Sequence, residues 1–432
     1  MAKKKQDLTP EERLAAALVP EEEWPYALPD GWKWVRLGKI YDVNPKVQAD
    51  DDLEASFVTM SDISPGIKSQ FDFIVRKWGE IKKGHTQFAN GDVAFAKISP
   101  CFENRKSMIL DGLKNGIGAG TTELIVLRNP SIDNKYTFLF ISSEEFIRHA
   151  RNTYKGVVGQ QRINLDFVKN YPMPLPPLSE QRRLVARIES LFAKLDAARE
   201  KVQSVLDSHE TRKAALLHAA FAGKLTAKWR EENNKRACYA EEPLKNFVET
   251  QYGYTEKSSF DIAGPHYLRI TDIQGETVDW NNVPNCSIDE TNYQKYSLHP
   301  NDIVVARTGA TTGKSYMIGE DIDAVFASYL IRVQITNIRL LPKFLYMFFQ
   351  SQEYWSQIME LSAGIAQPGV NARKIQSMMI CVPSLPEQQE IVRILDRLLA
   401  REQRARQAAE ETLAAIDRMK QSILARAFRG EL

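Results

Sequence analysis

Apolar and small residues recur in steps of three and four along Ile188, Leu191, Leu195, Ala198, Val202 and Val205. That spacing lays a stripe along one face of a helix and, when sustained, makes a coiled-coil seam. The stripe meets His209 and Arg212 and recovers at Leu216. A second run takes the same course through Leu395, Leu398, Glu402, Ala405, Ala409, Thr412, Ile416, Met419 and Ile423. The two runs are copies. Leu178, Glu180, Gln181, Val185, Leu191, Ala198, Leu206, Lys213, Leu217, Phe221, Gly223 and Leu225 match Leu385, Glu387, Gln388, Val392, Leu398, Ala405, Leu413, Lys420, Leu424, Phe428, Gly430 and Leu432, each pair 207 positions apart without a gap. Start and stop signals agree between them. Ser384 and Glu387 have the spacing of a capping box with Pro386 in the first turn, Pro177 and Glu180 stand at the places of Ser384 and Glu387 in the first copy, and Gly223 and Gly430 follow Phe221 and Phe428 as glycine stops. Each copy predicts a helix of roughly 40 residues, about 60 Å long at about 1.5 Å per residue.

The polar interruptions predict how these helices pair. The first seam is polar at His209 and Arg212, where the second has Ile416 and Met419; the second is polar at Glu402 and Thr412, where the first has Leu195 and Val205. Antiparallel packing sets Ile188–Leu195 against Ile416–Ile423 and His209 near Glu402. A parallel pair would bury a mismatched polar group at each of these levels. The helices are therefore expected to run antiparallel, with solvated helices in separate domains as the alternative.

Between the helices lie two segments that also echo one another. VTMSDI (58–63) resembles LRITDI (268–273), and NGDVAFAK (90–97) resembles PNDIVVAR (300–307), which places Asp62 and Asp272, and Asp92 and Asp302, 210 apart. Short β-branched strands are expected at 92–98, 123–128, 302–307 and 329–335, and helices near 136–154 and 342–361. The chain thus reads as α+β with a pseudo-twofold internal repeat: an N-terminal arm (1–29), a mixed α/β globule (30–175), a long helix (176–225), a polar linker (226–243), a second mixed globule (244–382) and a second long helix (383–432). A doubled supersecondary unit suits a partner with two related halves.

Composition narrows the function classes. No run nears the roughly 18 to 20 consecutive apolar residues of a membrane span. The basic start MAKKKQDLTP leads into the acidic, amphipathic EERLAAALVPEEEW, not an apolar signal core, so a cytoplasmic protein is expected. Cys101, Cys238, Cys286 and Cys381 are far apart with no CxxC pairing, which predicts reduced thiols and no metal site. A net charge of +2 does not announce a nucleic-acid partner, so any such surface must come from charges gathered on one face. Catalytic signatures are absent. Asn44-Pro45-Lys46 and Asn129-Pro130-Ser131 lack the aromatic that an amino-methyltransferase loop requires, and Glu80-Ile81-Lys82 is a lone nuclease-like triplet. Gly309–Ser315 has three residues between its glycines where a Walker A loop has four, so it reads as a glycine-rich turn after a strand.

What remains are basic and amide side chains on turns beside strands. The first globule offers Lys97, Arg105 and Lys106 around Pro100-Cys101-Phe102, then Gln160, Gln161 and Arg162; the second offers Arg307, Thr308, Thr311, Thr312 and Lys314, then Gln367, Asn371 and Arg373. Arg and Lys bind phosphate and read guanine edges, while Gln and Asn read adenine edges. The same residues on a solvated turn need contact nothing.

The openings LPPLSEQRRLVARIESLFAKLD and VPSLPEQQEIVRILDRLLA, the helix ends AAFAGKL and RAFRGEL, the stretch LPDGWKWVRLGKI, and the turns GDVAFAKISPCFENRK and NDIVVARTGATTGKS resemble the DNA specificity subunit of type I restriction-modification systems, from Leu28 to Leu432. The resemblance implies two target recognition domains, each reading one half of a split double-stranded DNA site, separated by an antiparallel pair of conserved helices. It implies no catalysis and no cofactor on this chain: two modification (methyltransferase) subunits would bring S-adenosylmethionine and the adenine chemistry, and restriction (translocase/nuclease) subunits would bring ATP and Mg. Helix faces bearing Arg183, Arg187, Arg397 and Arg404 are the expected seats of the modification subunits. The first 27 residues precede the family's usual start, as a docking arm or a tail. Two other readings stand beside this one, an enzyme with an unrecognised site and a structural coiled-coil protein without sequence-specific DNA binding.

Overall fold

The computed structural model describes residues 9–157, 159–235, 241–362 and 369–432. They form two compact units: the chain up to Val202 together with Glu411–Leu432, and Gln203–Glu410. The units interleave in sequence, since the end of the second long helix belongs to the first unit.

Each unit is built on the same frame. In the first, an antiparallel sheet runs Asp42–Val43, Leu124–Arg128, Val93–Ala96, Ser107–Ile109, with Phe95 opposite Ile125. In the second, the order is Val248–Tyr252, Leu330–Ile335, Ile303–Ala306, Ser315–Met317, with Val305 opposite Ile331. The central strands Val93–Ala96 and Ile303–Ala306 are buried throughout, as their continuous apolar runs demand. The aspartate before each fixes its start. Asp92 accepts from the Ala89 amide at 2.7 Å and from Arg128 at 2.6 and 2.7 Å, while Asp302 accepts from the His299 amide and from Gln334, both at 3.1 Å. Asp62 and Asp272 likewise close turns, accepting from the amides of Thr59 at 2.7 Å and Arg269 at 2.8 Å. The paired aspartates seen in the sequence are turn anchors.

A second small sheet in each unit contains a parallel pair, and a two-stranded ribbon joins the segment ahead of each globule to the one behind it: Lys33–Arg36 with Pro172–Leu175, and Glu241–Pro243 with Met379–Cys381. The expected helical stretches are each broken in two, Asn134–Ile141 and Glu144–Arg151 in one unit and Pro342–Phe348 and Gln352–Ser362 in the other. Ser143 and Ser351 supply hydroxyls to the amides of Phe146 and Tyr354 at the new starts. Ahead of the first globule, Pro10–Ala17 is a helix with a Thr9/Glu12 capping box. It folds onto the first unit through buried Ala17 and an Arg13–Asp42 ion pair of 3.2 Å, and Tyr26 donates to the Phe428 carbonyl at 3.0 Å.

The long helices run antiparallel, and both ends of the pairing show it. Inside the first unit Arg199 pairs with Asp417, Lys420 pairs with Asp196 at 2.5 Å, and the Lys420 ammonium lies 5.1 Å from the centre of the Phe192 ring. Inside the second, Arg212 donates to Glu402 at 2.8 Å and His209 Nδ1 lies 3.9 Å from the same carboxylate. The glycine stops hold as well, Gly223 and Gly430 taking φ of 70° and 75°, where a Cβ is strained.

Two details depart from the sequence pattern. The second helix is continuous over Leu385–Phe428, but the first is Leu178–Asp207 followed by His209–Phe221. At the break, the Ser208 hydroxyl donates to the Ser204 carbonyl at 2.6 Å, and Arg212 donates to that hydroxyl; such back-bonding bends helices. Met419, placed in the seam by spacing, is 46% exposed, because Lys420 covers Phe192 in its stead. The Glu387 carboxylate accepts from Thr226 Oγ1 at 2.7 Å and Arg230 Nη1 at 2.5 Å, partners far from it in sequence.

The buried glutamines of the two copies do the same work. Gln181 donates to the Pro176 carbonyl and accepts from the Asp133 amide, both at 2.9 Å; Gln388 donates to Pro383 at 2.8 Å and accepts from Leu341 at 2.9 Å. Each ties the start of a long helix to the start of a globule helix. At the other end, Phe428 packs on Tyr136 and Phe140 with centroids 5.3 and 5.2 Å away, and Phe221 packs on Phe344 and Phe348 at 5.3 and 5.6 Å. Phe428→Ala should destabilise the first unit by about 3–5 kcal/mol, the range for a buried aromatic truncation. Amide exchange resolved by segment checks this: protection should fall in the first unit's sheets and stay nearly unchanged in Val248–Tyr252 and Leu330–Ile335.

Candidate nucleic-acid interface

In both units the central strand turns back through a largely half-buried hairpin loop. Residues 97–106 connect Val93–Ala96 to Ser107–Ile109, and residues 307–314 connect Ile303–Ala306 to Ser315–Met317. The glycine-rich string 309–315 therefore joins two antiparallel strands, whereas a phosphate loop leads from a strand into a helix. A second segment lies against each loop. Ile163 N donates to the Lys97 carbonyl at 3.0 Å and Ser99 N to the Gln161 carbonyl at 2.8 Å; in the other unit Val370 N donates to the Arg307 carbonyl at 2.9 Å and Thr308 bridges to Gly369. The two groups singled out in each globule, far apart in sequence, are thus neighbours.

In the first unit the candidates divide by what they already touch. Arg105 has a left-handed backbone, φ 54°, and its guanidinium reaches the Ser142 carbonyl at 3.0 Å and the Glu144 carboxylate. Lys106 Nζ donates to the Met60 carbonyl at 2.7 Å. Both side chains knit the loop to its own domain. Lys97 is half-buried, Gln161 half-buried, and Gln160 and Arg162 exposed. Arg162 grips Glu123 with Nε at 2.9 Å from Oε2 and Nη2 at 2.8 Å from Oε1. That guanidinium holds the Glu123 carboxyl below the usual carboxylate range against the opposing effect of partial burial, and Lys97 adds in the same direction.

In the second unit Arg307 lies over the Tyr252 ring, 5.0 Å from its centre, and donates to the Ser328 carbonyl at 3.3 Å. Tyr329, whose carbonyl accepts from the Arg307 amide, is 62% exposed beside it. Thr311 Oγ1 donates to the Thr308 carbonyl at 3.5 Å and Thr312 Oγ1 to Gly309 at 2.8 Å, which shapes the turn. Lys314 is exposed with no ion pair to another described residue. Arg373 is exposed in the first turn of Ala372–Ser377, after Asn371, whose side chain accepts from Lys374 N at 2.9 Å; Ala372 N in turn donates to the Tyr252 hydroxyl at 3.1 Å. Gln367 lies outside the described residues. Sequence reading missed Tyr252 and Tyr329; their signal was an aromatic at a strand end beside a basic turn.

On the long helices Arg187, Arg397 and Arg404 are exposed. Arg183 is engaged, donating to both oxygens of Glu180 at 2.8 Å and to the Leu432 carbonyl at 2.8 Å. Among the described residues no group of three or more His, Cys, Asp or Glu is placed to hold a metal ion, and no helix is long and apolar enough to cross a membrane. Cys101, Cys286 and Cys381 are free thiols.

Two like-built α/β units, each presenting a basic hairpin loop and joined by antiparallel helices, define a duplicated binding scaffold. The family model for the type I restriction modification DNA specificity domain matches residues 29–206 and again 243–411, and the chain belongs to that family. Curated relatives include the type I restriction enzyme EcoAI specificity subunit of Escherichia coli, 44% identical over 46% of this chain and 34% of the relative, and the EcoEI specificity subunit of Escherichia coli, 41% identical over 49% and 37%. The chain spans about a third of the length of these two relatives. The MjaVIII specificity subunit of Methanocaldococcus jannaschii is 24% identical over 89% of this chain and 90% of its own. Among solved structures, a chain from a type I R-M system superposes with a TM-score of 0.75 at 21% identity, covering 94% of this chain and 100% of that one. The HsdS subunit from Thermoanaerobacter tengcongensis gives 0.64 at 21% identity, covering 95% and 100%. These likenesses show the same fold.

The Glu123–Arg162 pair yields a pH prediction. A carboxyl whose pKa is lowered by folding stabilises fully above its unfolded value, about 4.3, and loses that contribution as pH falls through the lowered value. The Arg162 Nε–H resonance should shift over that acidic window and stay constant above pH 6. In Glu123→Gln the titration should vanish.

Proposed function

We propose that this chain is the non-catalytic DNA-recognition subunit of a type I restriction-modification assembly. Each globule reads one half of a split target in the major groove, and the paired helices fix the spacing between half-sites near one turn of duplex, about 34 Å or slightly more. The observation that carries the reading is the duplicated loop geometry: two hairpin loops on equivalent strands, each with a second basic segment hydrogen-bonded alongside. Within it, Gln160, Gln161 and Arg162 of the first unit and Arg307, Lys314 and Arg373 of the second are the proposed contacts, with Lys97, Thr308 and Thr311 behind them. Arg105 and Lys106 act by positioning their loop. Gln367 is retained from the sequence as a contact.

The partners are those that the likeness to type I specificity subunits implies. Two modification subunits would carry S-adenosylmethionine and the methyl transfer, and restriction subunits the ATP- and Mg-dependent steps, in the cytoplasm. Arg187, Arg397 and Arg404 offer exposed cations for docking the modification subunits, and Arg183 contributes through its pairing with Glu180.

Exchanging residues 30–175 for the matching segment of a relative should alter one half of the methylated sequence and leave the other intact, as read by mapping methylated adenines in the host genome. If both halves change, the globules do not read independently. The isolated chain should transfer no methyl group, and adding the modification subunit should confer transfer; methylation by the chain alone would sink the proposal.

Point substitutions separate base from phosphate contact. Arg307→Ala should cost about 1–3 kcal/mol in binding and relax preference at one position, whereas Lys314→Ala should weaken all sequences alike and lower the salt slope by about one. Titrations against selected and random duplexes at several salt concentrations check both, and unchanged affinity in the two variants would place this loop away from DNA.

A further inference from the structure

The two units differ at one sheet edge. The parallel pair of each small sheet is equivalent, Phe57 opposite Ala119 in the first unit and Tyr267 opposite Val325 in the second. Beside the first strand of that pair lies an antiparallel neighbour, Ile74–Lys77 in one unit and Asn285–Cys286 in the other. In the second unit a further strand, Ser258–Ser259, covers this neighbour, with Ser258 opposite Cys286 and Ser259 opposite Asn285. In the first, Ile74–Lys77 is itself the edge, and no strand among the described residues pairs with its outer side.

Burial follows that difference. Cys286 is fully buried, whereas all four residues of Ile74–Lys77 are exposed, and Phe73, Ile74 and Val75 are 36%, 48% and 46% exposed in succession. Lys77 is paired with Asp52 at 2.8 Å, which leaves Arg76 as the edge cation without an ion pair among the described residues. Consecutive apolar side chains beside unpaired backbone groups are what an edge normally avoids, because they template strand addition.

We propose that Ile74–Lys77 receives an extended strand of the modification subunit, which adds to the first unit the strand that the second supplies from its own chain. This rests on the function proposed above. The covering segment of the second unit, Thr255–Asp261, shows the chemistry required: small side chains where the strands pair, an apolar Phe260, and flanking carboxylates at Glu256 and Asp261. A segment of that kind sets a carboxylate against Arg76 and an apolar residue against Ile74 or Val75. Main-chain hydrogen bonds supply the affinity, and alternate side chains the selectivity. A peptide strand completes the backbone ladder of this edge, which a nucleic acid cannot do.

The test is amide exchange on the full chain alone, with duplex DNA carrying the mapped target, and with purified modification subunit. Exchange across Phe73–Lys77 should slow at least tenfold with the modification subunit and stay unchanged with DNA alone. The double variant Ile74→Lys, Arg76→Glu should weaken assembly at least tenfold while keeping wild-type exchange in the central sheet, which separates a lost contact from misfolding. Protection by DNA alone overturns the proposal in favour of a groove-reading edge, and no protection in either complex overturns it outright. A wild-type complex that methylates split sites while this edge exchanges freely counts against the strand alone. A complex that never methylates counts against the proposed function.

Discussion

The constraint on which the fold depends is that each unit closes its core with the end of a helical run that begins in the other. Phe428 closes the first core over Tyr136 and Phe140, and Leu424 and Ala427 join it there; Phe221 closes the second over Phe344 and Phe348, with Leu217 and Ala220 beside it. Phe428 sits at the far end of a helix that starts in the second unit, and Phe221 ends the helical run, broken at Ser208, that starts at Leu178 in the first. A buried phenylalanine contributes about 1.5–3 kcal/mol from area alone, and each edge-on aromatic contact adds about 0.5–1.5 kcal/mol. These amounts are large against a typical folding stability. Each unit therefore holds the end of the helix that the other begins, and the direction of the helix pair is part of both cores.

The polar positions of the seam reinforce that direction. Glu402 receives Arg212, while Arg212 also reaches the Ser208 hydroxyl and, at 3.1 Å, the Val205 carbonyl. His209 stands beside them, 7% exposed, its Nδ1 without a hydrogen bond. A layer of this kind adds little net stability compared with an apolar one of the same shape, but a partner missing from it is expensive. Its effect is to penalise other pairings, since a slipped or parallel arrangement would leave the Glu402 carboxylate against Leu195 with no cation near.

How much of this the sequence disclosed depends on which force acts at each position. The repeat, the antiparallel sense and the central strands were legible because burial writes itself as periodicity: apolar runs at 93–96 and 303–306 can be little else than covered strands. The break at Ser208 was not, because a serine in a helical register bonds back to Ser204 only once the helix exists. Met419 was misplaced for a related reason. A lysine stem covers Phe192 as well as a methionine would, and its ammonium still reaches Asp196. Glu387 shows the limit of a local motif, since nothing in it discloses that Thr226 and Arg230, far away in sequence, donate to its carboxylate.

The candidate site was legible as residue types and illegible as partners. Arg105, Arg162 and Arg307 look alike in sequence, yet one is tied to Ser142 and Glu144, one is held by a single surface carboxylate, and one lies flat on a tyrosine. Only geometry separates a guanidinium that builds its loop from one that can exchange partners. The residues that repeat at fixed offsets, Asp62 and Asp272, Asp92 and Asp302, Gln181 and Gln388, Phe221 and Phe428, all belong to the frame. The loops between equivalent strands share neither length nor sequence, with residues 97–106 in one and 307–314 in the other. Frame residues must satisfy buried backbone groups and fill cores, so little else serves in their place. Loop residues answer only to what lies outside. On the proposed reading this separation lets each loop take a new sequence preference without disturbing the helices that place it.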